Sequence, residues 1–185
     1  MRKALALIAL TLSSLAATNV PRPAPDFVVN LNNGAPIRLS QYKGKVVAFI
    51  FILTTCPHCQ KCITYLIKDQ DEFGARGFQV LAAAIDQGAA SLVPNFINAF
   101  KPTFPVGYSQ NHNEVLAFME HPVMLSPKMP MLSFIDRQGQ IRAQYEGDNK
   151  FLDEASMEKN LHDQIEALLK EGAAPGKKAS PKKSK

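Results

Sequence analysis

Two cysteines separated by two residues, Cys56-Pro57-His58-Cys59, are the part of this chain best suited to chemistry. Thiols at that spacing either exchange disulfides or supply ligands to a soft metal ion. The apolar run from Val46 to Leu53 precedes the pair, and a helical pattern with Ile63, Leu66, Ile67 and Phe73 follows it. A strand that delivers the first cysteine to a helix start places its sulfur near unpaired backbone N–H groups, at the positive end of the helix dipole. That setting stabilises the thiolate, the form that attacks disulfides, so the context favours redox chemistry over metal binding.

Each residue of the motif carries its own expectation. Cys56 is the exposed nucleophile, and Cys59, one turn into the helix, is the more buried thiol that resolves a mixed disulfide; the two form the redox-active pair. Pro57 suits the first helical position, where its missing N–H is not needed. A protonated or dipolar His58 imidazole beside Cys56 favours the thiolate and makes the disulfide a stronger oxidant. Cys62 extends the run to CxxCxxC. It is a buried inert thiol, an alternative disulfide partner for Cys59, or a proton partner.

These residues sit in a chain that can bury one sizeable core, with 185 residues of which 46% are hydrophobic. The net charge of +5 belongs to its ends. Seven of the 21 basic residues lie before Asn19 or after Glu171, leaving fourteen against sixteen acidic ones, a mildly acidic body. Residues 1–18 read as a secretory signal or short N-terminal anchor: Arg2 and Lys3, then an apolar run from Ala4, then small residues through Ala17. That run is shorter than the roughly 20 residues that span a bilayer. Export, to the periplasm or another extracytoplasmic space, puts the thiols where disulfides persist. Residues 172–185, rich in Lys, Pro, Gly and Ala, read as a disordered basic tail with at most weak membrane-surface attraction and no nucleic-acid partner.

Between the ends, residues 19–171 form one domain. Val20 to Pro25 is an extended lead-in. Asp26 to Leu31 and Ile37 to Leu39 form a hairpin around Asn32-Asn33-Gly34. Phe78 to Asp86 is a second buried strand, Ser91 to Phe100 a helix, Phe104 to Tyr108 a short extended piece, and Asn113 to Glu120 a short helix. Met131 to Asp136 and Ile141 to Tyr145 make a hairpin, and an amphipathic helix with Leu161, Ile165, Leu168 and Leu169 closes the chain. Strands alternating with helices predict an α/β fold: a mixed central β-sheet flanked by helices, with an N-terminal β-hairpin extension.

The body resembles the thioredoxin-like superfamily, in particular the TlpA-like and redoxin thiol–disulfide oxidoreductases. Four segments carry the resemblance besides the cysteine pair: Ala24-Pro25-Asp26-Phe27, Leu39 through Val47, Met129-Pro130, and Phe134-Ile135-Asp136-Arg137-Gln138-Gly139. The resemblance implies a thioredoxin-like fold in which a cis Pro130 faces the cysteines. Met129 then meets an extended substrate segment through its backbone. Thr55, where relatives commonly carry tryptophan, is the other residue expected at the substrate. Protein thiols or disulfides are the implied substrates, with a separate, unidentified redox partner that resets the pair and no cofactor.

Departures from the family pattern narrow the chemistry. The buried acid of thioredoxin, six residues before the first cysteine, is here Ile50, and the glutamate of TlpA-like proteins is replaced by Cys62. CPHC is also the motif of the DsbA family of oxidants, so motif and scaffold point in opposite directions of electron flow. Two alternatives share the scaffold. A peroxiredoxin-like peroxidase needs a threonine three residues before its cysteine, where this chain has Leu53. A copper- or zinc-binding protein would draw on Cys56, Cys59 and Cys62 together with His58, His112 or His121.

Overall fold

A computed structural model describes residues 19–171; the leader expected at 1–18 and the tail expected at 172–185 lie outside the described residues. After β1 (Arg22–Pro23), the strands β2 (Val28–Val29) and β3 (Ile37–Arg38) pair as a separate antiparallel ribbon. Then come β4 (Val46–Ile52), α1 (Pro57–Phe73), β5 (Phe78–Ala84), α2 (Ala89–Phe100) and β6 (Val106–Tyr108). The chain continues through α3 (His112–Met119), β7 (Met131–Ile135), β8 (Gln140–Glu146) and α4 (Met157–Glu171). The main sheet runs β1-β8-β7-β4-β5-β6, parallel from β4 to β6 and antiparallel from β4 to β1. This is the mixed, helix-flanked sheet with an N-terminal hairpin that the sequence predicts.

Strand β4 lies at the centre because both of its faces are covered. Val46, Ala48, Ile50 and Ile52 pack against α1, α2 and α4, while Val47, Phe49 and Phe51 pack with Phe27, Val29 and the α3 residues Val115 and Phe118. All seven residues of β4 are buried, which is why it reads in sequence as an unbroken apolar run. Phe27, Phe49, Phe51 and Phe118 meet largely edge to face, with ring centroids 4.6 to 5.7 Å apart.

Two pieces differ from the sequence reading. The expected lead-in contributes a strand: Arg22 and Pro23 pair with Ile141 and Gln140, making β1 the sheet edge. A two-residue edge strand ending in proline has no periodicity to announce it, and proline is tolerated there because its N–H side faces outward. The other piece is the segment expected as a strand from Asp26 to Leu31, which is strand only at Val28–Val29, with a bridge from Asn30 to Tyr108.

Candidate functional site

Cys56 is the N-cap of α1. Its backbone is extended, its sulfur accepts the Cys59 N–H at 3.3 Å, and Pro57 occupies the first helical turn. The sulfur thus takes the capping role that a serine or aspartate oxygen usually plays, and it sits at the positive end of a 17-residue helix. Cys56 is half-buried, Thr55 and Pro57 are exposed, and Cys59 is fully buried. Burial pushes the Cys59 thiol far above its ordinary range, and its hydrogen bond with Cys56 adds to the rise. An accessible, amide-bonded sulfur therefore stands over a neutral buried one.

The turn that carries Cys56 is held from the loop that follows β5. Asp86 accepts from the Thr54 N–H with both oxygens, at 3.0 and 2.9 Å, and from the Thr54 hydroxyl at 2.9 Å. Gln60 Nε2 donates to the Thr54 carbonyl at 2.8 Å, and the Cys56 N–H donates to the Leu53 carbonyl at 3.1 Å. Asp86 and Gln60 escaped the sequence reading. An acid closing an apolar strand just before Gln87-Gly88 is a weak signal, because such residues also serve as ordinary turn residues.

His58 occupies a place more specific than sequence suggests. A carbonyl can only accept, so the contact of its Nε2 with the Leu152 carbonyl at 2.7 Å assigns the hydrogen to Nε2. Nδ1 makes no hydrogen bond among the described residues. No hydrogen bond joins His58 to Cys56 among the described residues. The 3₁₀ turn that offers Leu152, Lys150–Leu152, is tied down by the stacking of Phe151 on Tyr145 at 3.8 Å, and the adjoining Glu154 pairs with Lys61 of α1.

Cys62 lies on the buried face of α1 with no exposure, and burial pushes its thiol far up as well. A neutral thiol there cannot accept the Cys59 proton in place of the family's acid. Nor is it geometrically suited to a disulfide with Cys59. Residues three apart on a helix have Cβ atoms about 5–6 Å apart, whereas a disulfide needs about 3.5–4.5 Å. Further down the same face, Asp69 is 5% exposed, and its Oδ1 faces Nδ1 of His162 at 3.3 Å. Burial raises its carboxyl to about 6, against the lowering effect of that contact.

The Met129–Pro130 peptide is cis, as the resemblance implies. The register that pairs Phe51 with Met131 carries Pro130 to the end of β4, beside the turn leading to Cys56, and Met129 packs against the same core as Cys56. His121, weighed above as a metal ligand, has both ring nitrogens engaged, by Glu146 Oε1 at 2.6 Å and by the Leu125 carbonyl at 3.1 Å. Among the described residues, no group of three or more His, Cys, Asp or Glu residues is arranged to hold a metal ion.

With this geometry in place, the relatives of the chain are informative. Residues 19–161 match the family model described as Redoxin. The chain is 27% identical over 153 residues to "Thiol-disulfide oxidoreductase ResA" of Bacillus subtilis (strain 168), covering 83% of this chain and 77% of that one. It is 29% identical over 126 residues to the protein of the same name from Geobacillus kaustophilus (strain HTA426), covering 68% of each. Among solved structures, a Chlorobium tepidum protein assigned as a thiol:disulfide interchange protein DsbE superposes with a TM-score of 0.66 at 25% identity, covering 80% of this chain and 96% of that one. A second Chlorobium tepidum structure, a thiol:disulfide interchange protein of the thioredoxin family, gives 0.66 at 21% identity over 83% and 99%. The class is a thioredoxin-like oxidoreductase of the thiol–disulfide kind. Within that class, the chain belongs to the redoxin family.

Proposed function

We propose that the chain exchanges disulfides with protein substrates through Cys56 and Cys59. The observation that carries this reading is the pairing of a half-buried, N-capping Cys56 sulfur with a buried Cys59 one turn away. In the reducing direction the Cys56 thiolate attacks one sulfur of a substrate disulfide. The substrate S–S bond breaks, and the departing thiolate takes up a proton. Cys59 then loses its proton and attacks Cys56 in the mixed disulfide, which leaves the Cys56–Cys59 disulfide and a second substrate thiol. Two electrons pass from the pair to the substrate, and an external dithiol returns them. Run backward, the same steps oxidise a substrate dithiol, and the reduction potential of the couple sets the direction.

In this reading Met129 and Thr55 meet the substrate chain beside Cys56, and Pro130 shapes that edge of the site. Pro57 starts the helix, and His58, fixed through Nε2, tunes the pair through Nδ1. The cationic and apolar composition of residues 1–18 supports export, with or without retention as an anchor. No helix among the described residues is long and apolar enough to cross a membrane. The lysines beyond residue 176 add a weak attraction to anionic surfaces.

The test is insulin reduction by dithiothreitol-recycled protein, together with equilibration against defined thiol–disulfide buffers. The expected result is catalysis abolished by Cys56→Ser and a single two-electron couple assigned to Cys56 and Cys59. An active Cys56→Ser protein would overturn the assignment. A potential near about −120 mV marks a DsbA-like oxidant and one near about −270 mV a thioredoxin-like reductant.

A further inference from the structure

The loop between α3 and β7 is fastened at both ends by one carboxylate. Glu146, the last residue of β8, takes His121 at the start of the loop through Oε1 at 2.6 Å and the Lys128 N–H at its end through Oε2 at 3.2 Å. The Gly147 N–H donates to the Lys128 carbonyl at 2.9 Å, so the grip continues along the backbone. Immediately beyond come Met129 and Pro130. The Met129 amide has no hydrogen-bond partner among the described residues. The part of the loop that projects outward carries Val123, Met124 and Leu125, the exposed large hydrophobic residues of the described chain.

The hydrogen-bond chemistry of this grip fixes how many protons it contains. The His121 side chain is 6% exposed, so water does not substitute freely for its partners. The Leu125 carbonyl only accepts, so Nε2 carries a hydrogen. At 2.6 Å, Nδ1 and the carboxylate must share another. Both contacts persist only while ring and carboxyl together hold two hydrogens: an imidazolium beside a carboxylate, or a neutral ring beside a carboxylic acid. A ring with a single N–H beside a carboxylate has one hydrogen for two acceptors and can make only one of the two contacts. The other charged groups around this recess are Glu120, paired with Arg22, and Lys128 and Asp148.

We propose that His121 and Glu146 are a positioning pair that holds the Lys128–Pro130 segment in register for an incoming polypeptide. The inference rests on the thiol–disulfide exchange proposed above and deepens it. It separates two substrate classes, since a protein substrate needs the Met129 backbone to dock, whereas a small disulfide with no peptide backbone needs only Cys56.

The test compares kcat/KM for insulin with that for bis(2-hydroxyethyl) disulfide, under the same recycling dithiol. Removing one or two buried hydrogen bonds should lower the insulin-to-small-disulfide ratio by about tenfold in His121→Ala and Glu146→Ala, through KM for insulin. Glu146→Gln is the decisive variant. Its amide N–H₂ donates to a neutral Nδ1 while its oxygen still accepts from Lys128, so both fastenings survive without the extra proton. It should keep the ratio within about twofold of wild type. The proposal is overturned if folded alanine variants keep the wild-type ratio, or if Glu146→Gln behaves like Glu146→Ala. If instead wild type turns over neither substrate, or Cys56→Ser turns over both, the exchange reading itself falls.

Discussion

The Cys59 amide donates to the Cys56 sulfur at 3.3 Å, so the first cysteine of the pair caps the helix on which the second is carried. One contact therefore does two jobs. It satisfies a helix N–H that would otherwise lack a partner, and it directs positive charge density at the sulfur that must ionise. Burial meanwhile opposes negative charge at Cys59.

Cys62 should be dispensable for turnover. It is buried among apolar neighbours as a neutral thiol and cannot reach Cys59 within an intact helix. Cys62→Ala should keep insulin reduction within about twofold of wild type while losing roughly 1 kcal/mol of stability in urea denaturation, the effect of deleting a small buried group. A collapse in activity without loss of folding would mean that Cys62 takes part in the chemistry.

Asp86 anchors the turn that presents Cys56, through three contacts to Thr54. In Asp86→Ala the buried Thr54 N–H and hydroxyl lose their partner, which should cost about 1–3 kcal/mol in thermal or urea unfolding. Asp86→Asn keeps an acceptor for Thr54 and should recover more than half of that loss.

Gly147 has no room for a side chain. A Cβ there would lie 2.0 Å from the Met129 carbonyl oxygen and 2.5 Å from its carbonyl carbon. Those are backbone atoms that cannot rotate away, so Gly147→Ala must displace the segment leading to Pro130. The expected outcome is a loss of roughly 2 kcal/mol or more in unfolding measurements, together with a raised KM for insulin.

How much of this was legible in the sequence follows from the range of the interactions. Strand β4, helix α1 and the cysteine pair are local patterns of burial and spacing, and they appear where the sequence predicts them. Met129-Pro130 was legible only through family resemblance, because nothing in its neighbours distinguishes it from a strand-leading proline. Asp86 with Thr54, and Glu146 with His121, pair residues 32 and 25 positions apart. No periodicity encodes such contacts, and His121 in particular read as a loop residue or metal ligand until both of its nitrogens could be seen occupied. Asp69 escaped the reading for a related reason: an acid in the polar run Lys68-Asp69-Gln70-Asp71-Glu72 looks solvated, and only the packing of α4 over it shows otherwise.

Asp69 should make the fold less stable as pH rises. Burial raises its carboxyl to about 6 from the ordinary 3.8, and its Oδ2 has no hydrogen-bond partner among the described residues. Below about pH 4 both native and unfolded forms are protonated and the residue costs nothing. Between about 4 and 6 the unfolded chain ionises first, and above 6 the native state carries the full penalty, of the order of 3 kcal/mol. Asp69→Asn retains an acceptor for His162. It should raise stability by roughly 1–3 kcal/mol at pH 7.5 and by almost nothing at pH 4, as read from urea midpoints at the two pH values.

The division of labour between Cys56 and Cys59 is tested most directly by trapping. Cys59→Ser protein, reacted with a protein disulfide and quenched with acid, should accumulate a mixed disulfide, and peptide mass spectrometry should place its linkage at Cys56. Cys56→Ser protein treated in the same way should yield none. A linkage found at Cys62, or an equal yield from the Cys56→Ser protein, would contradict the account.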